Sequence, residues 1–426
     1  MTRIAVIGCG YVGLTTGACF AHLGHEVICA DIDVEKIDAL NRGDVPIVED
    51  RLDGLVRDGL DDGNLQFVVG GEQAVCNCEI AFLCVPTPQE MDGSVDLSFI
   101  EVASATIAPV LPPGSIVVNK STVPVGSTRV VERVLKRSDV IVVSNPEFLR
   151  EGSAVQDFLH PDRIVIGVED QSAAIKVASL YLGVPSPIIV TSPASAETIK
   201  YAANAFLATK LSYVNAIAAI CEGVGADVND VILGLGYDRR IGPEFLRPGP
   251  GWGGSCFPKD TRALVQIAKS AGYEFELLTG VIDVNEEQFA RVIEKIRHAV
   301  GGELAGQKVA VWGLTFKAGT DDLRESPALR IVESLINEGA LVHAYDPTVT
   351  EHHSVIPPAV VIGTDPKEVC READVIVLLT EWDKFRWVSP GDVADLMVGR
   401  AVVDTRNILD RSDWIRHGFA YQGIGC

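Results

Sequence analysis

The chain's 426 residues exceed what one core holds, and at about 150 residues per domain they divide into two or three. With 47% hydrophobic and 22% charged residues the composition is that of a folded globular protein, which excludes disorder over any long stretch. The 36 Lys and Arg against 58 Asp and Glu leave a formal charge of −22; that charge repels a nucleic-acid backbone, and apolar runs such as Val375 to Leu379 fall far short of the roughly 20 residues of a membrane-spanning helix.

In chain order, Ile4 to Ile7 reads as a strand and about Tyr11 to Leu23 as a helix, followed by strands at Val27 to Ala30 and Ile80 to Val85. Met1-Thr2-Arg3 runs straight into the first strand, which leaves no room for a cleavable signal. Further strands are predicted at Ser115 to Val118, Val140 to Ser144 and Arg163 to Val168. Near-continuous apolar strands separated by helices imply a parallel sheet covered on both faces. From Ser195 to about Gly225 apolar residues recur at Ile199, Ala203, Phe206, Leu207, Leu211, Val214, Ile217, Ala218 and Cys221. That is a helical period over a length that suits a crossing between domains; a dimer seam or core packing alone explains the stripe equally well.

Near Gly306 the opening pattern returns. Lys308 to Gly313 repeats the strand-then-glycine start, Leu341 to Asp346 ends a second strand in aspartate as Val27 to Asp31 does, and Ala373 to Leu378 parallels Cys78 to Leu83. The expected fold is therefore α/β, with two Rossmann-like doubly wound domains joined by a long-helix central region. The expected boundaries are 1–194, 195–300 and 301–426, with a loop break at Gly301-Gly302.

Ten cysteines include a single Cys76-x-Cys78 and no C-x-x-C, which fits neither a disulfide framework nor a zinc site. Most of them read as small buried hydrophobes in a reducing cytoplasm. His22, His25, His343, His352 and His353 form no ligand set, so no metal is expected.

Gly8-Cys9-Gly10-Tyr11-Val12-Gly13 lies between a strand and a helix, and Asp31 closes the next strand 18 residues beyond Gly13. Glycines allow a tight turn and close approach to a pyrophosphate, whose charge suits the free N–H groups of a helix start. Asp31 accepts from a ribose diol and repels a 2′-phosphate, which favours NAD over NADP; FAD shares the fingerprint. Lys36 is either near the ribose or a solvated helix lysine. The most informative stretch is Gly251-Trp252-Gly253-Gly254-Ser255-Cys256-Phe257-Pro258-Lys259-Asp260. It presents one cysteine at a turn or helix start, where the helix dipole and Lys259 favour a thiolate. Asp260 is placed to orient a water or a base.

Five blocks occur in order: Gly8 to Gly13, Val85-Pro86-Thr87-Pro88, Lys120-Ser121-Thr122-Val123-Pro124, Asn145-Pro146-Glu147-Phe148-Leu149-Arg150-Glu151-Gly152, and Gly253 to Asp260. With Phe316-Lys317 and Arg324-Glu325-Ser326 they span nearly the whole chain, and together they resemble the UDP-glucose/GDP-mannose dehydrogenase family. Ser255 and Lys259 point away from the related UDP-N-acetylhexosamine enzymes, which tend to have His before the cysteine.

The resemblance implies an NAD-dependent, two-step oxidation of a nucleotide sugar's C6 alcohol, through a thiohemiacetal and then a thioester on Cys256. It implies oxyanion stabilisation by Lys200 and Asn204, four apart on one helix face. By the same likeness Glu147 is a base acting through water held by Thr122 and Asp260, and Glu151 contacts substrate or cofactor; spacing alone leaves open which glutamate is the base. Cofactor contacts fall to Gly8, Gly10, Tyr11, Val12, Gly13, Asp31, Lys36, Thr87, Thr122, Glu151 and Lys259. Substrate contacts fall to Phe148, Leu149, Glu151, Lys200, Asn204, Arg240, Phe245, Arg247, Gly253, Lys317 and Arg324. The counterpart of Arg240 reaches a neighbouring subunit, so a homodimer or higher homo-oligomer is implied. Trp252 is either an apolar wall or simple packing. UDP-glucose is the first substrate expected, ahead of dTDP-glucose and GDP-mannose; the loop from Phe245 to Trp252, rich in proline and aromatics where family members vary, leaves the three open while the reaction type stands. Two rivals remain: a hydroxyacid dehydrogenase transferring one hydride, and an NAD-sensing module with no turnover.

Overall fold

The computed structural model describes residues 1–90 and 93–426. Contacts divide the chain into two units, one of residues 1–203 with 262–271 and one of 204–261 with 272–426.

The first unit is built on eight strands: β1 (Arg3–Ile7), β2 (Glu26–Asp31), β3 (Leu65–Val69), β4 (Ile80–Leu83), β5 (Ile116–Asn119), β6 (Ile141–Ser144), β7 (Ile164–Gly167) and β8 (Ile188–Thr191). They lie in the order β3-β2-β1-β4-β5-β6-β7-β8, and the first six repeat the doubly wound dinucleotide-binding order. Ile4 stands opposite Val27 on one side and Ile80 on the other. Residues of β4 and β5 are buried throughout because helices cover both faces. One face buries Leu14, Phe20, Phe82 and Phe158, and the other Leu83, Ile100, Ile107 and Val131. Each such side chain, fully enclosed, stabilises by about 1.5–3 kcal/mol. The parallel expectation holds with one departure: β6 meets β7 antiparallel, through the single pair Ser144 and Gly167. The chain leaving β6 turns through Asn145 to Gly152 before re-entering the sheet, so the last two strands join as an added parallel pair.

The second unit contains β9 (Lys308–Trp312), β10 (Leu341–Tyr345), β11 (Val361–Ile362), β12 (Val375–Leu378), β13 (Ala401–Asp404) and β14 (Ala420–Gly423). The order β11-β10-β9-β12-β13-β14, parallel at every pairing, is the same doubly wound arrangement. The repeated strand grammar of the sequence is thus a repeated fold.

A helix of 32 residues, Pro193–Val224, begins with the first unit and ends with the second. Its extent matches the expected span to within two residues, and Val214, Ala218 and Cys221 of the expected stripe are buried, but the enclosed face also takes in polar residues the stripe left out. Phe206 is 65% exposed, while Glu197, Lys200, Asn204, Ser212 and Asn215 are buried at helical spacing beside Tyr201, Ala208 and Ala218. A hydrophobic count cannot identify a face whose enclosed members are polar and paired with one another's neighbours.

Candidate active site

At the C-terminal ends of β1, β4 and β5 the first sheet presents a glycine turn and two threonines. Gly8 has φ +101°, and a Cβ there would lie 2.7 Å from the Cys84 carbonyl oxygen; a Cβ on Gly13 would lie 1.8 Å from the Gly8 oxygen. Gly10 faces nothing within 4 Å. It precedes the helix Tyr11–His22, which has no side-chain cap, so the first N–H groups are left for an anion. Tyr11 reaches back to the Val48 carbonyl at 3.5 Å, Val12 is half-buried, and Thr87 and Thr122, both half-buried, follow β4 and β5.

Asp31 ends β2 and accepts from the Cys9 N–H at 2.9 Å, the Asp33 N–H at 3.1 Å and the Lys36 ammonium at 3.1 Å. Burial pushes its carboxyl up, but these donors outweigh it and hold the group below its ordinary value. Lys36 is therefore an ion-pair partner of Asp31 rather than a solvated helix lysine. A tight turn, an open approach at Gly10, an uncapped helix start and a carboxylate at the second strand fit a dinucleotide with a free ribose diol.

Glu147 follows β6. Its Oε1 accepts from the Lys200 ammonium at 2.7 Å and its Oε2 from the Leu149 N–H at 2.6 Å, and both members of the ion pair are 4% exposed. Burial works to raise the Glu147 carboxyl; Lys200, the Leu149 N–H and the field of Lys120 together bring it below the ordinary carboxylate range. Lys200 is no solvated helix charge. The ring of Phe148 lies under the Arg163 guanidinium at 3.6 Å and 5.6 Å from the Lys200 nitrogen, and Leu149 packs on the sheet's core. Glu151 is half-buried beside Gly152, and Glu49 clamps the turn by accepting from the Gly152 and Ala154 N–H groups, each at 2.7 Å. The sequence gives Glu49 and Arg163 no mark that differs locally from an ordinary surface charge, and it places Lys120 in a family block without a role.

In the second unit Cys256 sits one residue before the helix Phe257–Ser270 and is partly exposed, while seven of the other cysteines are buried. Its carbonyl accepts the Asp260 N–H at 2.9 Å, so it occupies the helix's capping position, and the Ser255 hydroxyl lies 3.6 Å from its sulfur. Asp260 is fully enclosed, with one oxygen accepting from the Asn204 amide at 2.6 Å and the other from the Lys259 ammonium at 2.7 Å. That ties the helix start to the long helix.

The loop before the cysteine has no room for a side chain at its glycines. A Cβ on Gly253 would lie 2.0 Å from the Glu325 carbonyl oxygen, and one on Gly254 2.8 Å from the Phe316 ring. Asn285 grips Trp252 through both its N–H and its C=O, at 2.8 and 3.0 Å, and the indole N–H donates to Ser212 at 2.8 Å. Trp252 is thus packing. Phe245, at φ 60°, holds a left-handed conformation that few non-glycine residues adopt, and its ring centroid lies 6.3 Å from that of Phe257.

The cations expected to hold a pyrophosphate are spread more widely. Arg240 is bound to Asp238, with its side chain 89% exposed, and Arg247 is exposed. Lys317 stands 5.6 Å from the Phe316 ring, and Arg324 pairs with Asp322 at 2.6 Å. Arg406, which the sequence reading passed over, donates to the Leu379 and Phe316 carbonyls at 2.9 and 3.2 Å. Its signal was available: it follows the C-terminal end of a buried strand, where such sheets carry ligands. No group of His, Cys, Asp or Glu able to hold a metal ion occurs among the described residues.

The chain matches known proteins over its whole length. Residues 2–184 match the NAD binding domain of the UDP-glucose/GDP-mannose dehydrogenase family, 194–287 its central domain and 310–411 its UDP binding domain. The UDP-glucose 6-dehydrogenase of Rhizobium meliloti is 44% identical over 99% of both chains, and UDP-glucose 6-dehydrogenase TuaD of Bacillus subtilis is 43% identical over 100% of this chain and 93% of its own. Among solved structures, a UDP-glucose dehydrogenase from Pyrobaculum islandicum superposes with a TM-score of 0.92 at 35% identity, covering 100% of this chain and 98% of that one. With the NAD cradle and the cysteine loop on the segments these matches cover, the chain belongs to the UDP-glucose/GDP-mannose dehydrogenase family and is an NAD-dependent nucleotide-sugar dehydrogenase.

Proposed function

We propose that this enzyme oxidises the C6 alcohol of UDP-glucose to the carboxylate of UDP-glucuronate, and that the thiol of Cys256 carries the intermediate. The observation that supports this best is the placement of Cys256: partly exposed, at a helix start, in a loop of glycines that tolerates no side chain, beside a locked Asp260. The relatives' names favour UDP-glucose over dTDP-glucose and GDP-mannose.

Per sugar, one alcohol, two NAD and one water give one carboxylate, two NADH and three protons. Bound NAD accepts the hydride of each oxidation. Loss of the first hydride and the hydroxyl proton leaves an aldehyde, to which the Cys256 sulfur adds, forming a C–S bond and an oxyanion. Lys200 and Asn204, one turn apart on the long helix, donate to that oxygen. Loss of the second hydride leaves a thioester. Glu147, ionised against Lys200, takes a proton from water, which adds at the carbonyl and breaks the C–S bond, returning the thiol. Thr122 and Asp260 position that water, and Glu151, Phe148, Leu149, Phe245 and Gly253 line the sugar and cofactor. Arg240, Arg247, Lys317 and Arg324 offset the pyrophosphate's charge.

The functional segments are 1–194 for NAD, 195–300 for the long helix and cysteine, and 301–426 for the nucleotide. A homodimer joined along the long helix is part of the proposal, supported by Phe206, Tyr213, Ile220 and Val224, all more than half exposed at seven- and four-residue spacing. A cytoplasmic setting is part of it too, supported by the seven cysteines that are buried as small apolar side chains.

The test is stoichiometry. Wild type is expected to yield two NADH per UDP-glucose, and Cys256→Ser to stall after the first oxidation with nucleotide binding intact. Full turnover to the acid by Cys256→Ala rules out the covalent route, and one NADH per sugar in wild type rules out the four-electron reaction. Competition among the three nucleotide sugars decides the substrate.

A further inference from the structure

Two lysines among the described residues are buried, and the mechanism above uses only Lys200. The other, Lys120, is 4% exposed. It follows β5, and its N–H donates to the Leu83 carbonyl at 3.1 Å, which directs its stem into the sheet. Its ammonium donates to Asn145 Oδ1 at 3.2 Å and to the Tyr181 hydroxyl at 3.5 Å, and stands 5.9 Å above the Phe158 ring. These partners are neutral, and no carboxylate pairs with it among the described residues. Tyr181 in turn donates to Asn145 Oδ1 at 2.6 Å, and the Asn145 amide to the Val165 carbonyl at 2.8 Å. A buried ammonium served only by neutral acceptors destabilises a fold, so its retention calls for a cause. Asn145 supplies a lead: it is two residues from Glu147, and the fields of Lys120 and Lys200 both act on that carboxylate.

With Glu147 ionised, the three buried charges sum to +1. When Lys200 is drawn to the substrate oxygen, Glu147 loses its charged partner and keeps only the Leu149 N–H while remaining enclosed, a state that favours uptake of a proton. We propose that Lys120 is a positioning residue for the base, keeping Glu147 ionised and fixing the Asn145-Pro146-Glu147 turn while Lys200 is engaged. This rests on the roles given above to Glu147 and Lys200.

The other groups that face Lys120 are Cys19 on the first helix, Cys84 after β4 and Tyr181 after β7's following helix. Burial pushes both thiols up to about 12 and the phenol higher still, so all three stay neutral near pH 7. Arg163, over the Phe148 ring, is a further cation that acts on Glu147 and keeps its charge, and Lys120 is charged below about pH 8, so in the acidic range Glu147 is left as the group that responds.

The experiment compares wild type with Lys120→Met and Lys120→Arg, reading kcat against pH, both KM values, and the infrared carboxyl band of protonated Glu147, assigned by its absence in Glu147→Gln. For Lys120→Met the acidic limb of kcat and the infrared titration move up by about one pH unit or more, a roughly tenfold loss of kcat just below the original limb, while both KM values stay within about twofold. Lys120→Arg restores both titrations. A loss of kcat that is uniform in pH, with an unmoved infrared titration, overturns the proposal and makes Lys120 a structural lysine. If Lys120→Met does not fold, Lys120→Gln is read in the same way. Should wild type release one NADH per sugar, the functional reading fails, and the infrared titration still decides what Lys120 does to Glu147.

Discussion

Replacing Lys120 with Met at neutral pH is expected to make the protein more stable, not less. Burial brings the lysine from 10.5 to about 8, and at about 1.4 kcal/mol per unit the charged form costs the folded state about 3 kcal/mol. The sign follows from its being a base whose folded value lies below its unfolded one. The cost is fully present below pH 8 and is relieved as pH rises to 10.5, where the unfolded chain also gives up its proton. Met removes the charge and also removes two hydrogen bonds to neutral acceptors, together about 1 kcal/mol. The net expectation is a gain of about 2 kcal/mol at pH 7 that shrinks across pH 8–10.5 and ends near zero or slightly negative. All five tryptophans, at 252, 312, 382, 387 and 414, lie in the second unit, so their fluorescence cannot report this. Native-state hydrogen exchange on peptides covering β5 and β6 can. A variant less stable at pH 7, or a difference constant from pH 7 to 10.5, refutes the reasoning. Confirmation would make Lys120 a residue kept against stability, as an electrostatic role requires.

Gly253→Ala forces a Cβ to within 2.0 Å of a backbone oxygen and 2.8 Å of Pro327 Cδ. It should destabilise the second unit by at least the 1–3 kcal/mol typical of overpacking, about that much by tryptophan-detected urea unfolding. Gly10→Ala meets nothing within 4 Å, so stability should hold while the NAD Kd from calorimetry rises about tenfold or more, a Cβ now standing where the pyrophosphate approaches; unchanged Kd would place the cofactor elsewhere. Asp31→Ser removes the carboxylate that repels a 2′-phosphate, and the NAD/NADP ratio of kcat/KM should fall about tenfold; an unchanged ratio would assign the discrimination to another residue.

The sheets were legible where strands are enclosed on both faces. Ile4-Ala5-Val6-Ile7 and Val375-Ile376-Val377-Leu378 are continuous apolar runs because no residue in them meets water. β8 was not read, being an edge strand with Ile188, Ile189 and Val190 all exposed, and β3 alternates too briefly to stand out. The long helix was read for its length and only in part for its face: Val214, Ala218 and Cys221 are buried, but so are Glu197 and Lys200, enclosed by partners the sequence does not adjoin. Glu197 caps a turn 69 to 71 residues away through the Gly126 and Thr128 N–H groups, and Lys200 meets Glu147 across 53 residues. Glycine demands are local, so Gly8, Gly13, Gly253 and Gly254 could be named in advance. The partners of a charge are not local, so Lys120 could be placed in a family block but given no role.

The two sheets share one strand order, one glycine after the first strand and one aspartate at the second, yet their turns have diverged at that aspartate. Asp31 accepts two N–H groups and one lysine and keeps part of its surface open beside Gly10, which faces nothing within 4 Å. Asp346 is 1% exposed. One of its oxygens takes the N–H groups of Leu314 and Thr315, the Thr315 hydroxyl and the Trp382 indole, at 2.8 to 3.1 Å, and the other takes the N–H and hydroxyl of Thr348. A ribose arriving at Asp346 would have to displace bonds that already hold the turn, whereas at Asp31 it meets a carboxylate with room beside it. The first glycine is closed in both units alike: a Cβ on Gly313, the counterpart of Gly8, would lie 2.3 Å from Thr380, and one on Gly8 2.7 Å from the Cys84 oxygen. The loop after β9 is folded down onto its own aspartate and leads directly to Phe316 and Lys317, so the turn that stays open beside Asp31 in the first unit is closed by the protein's own bonds in the second.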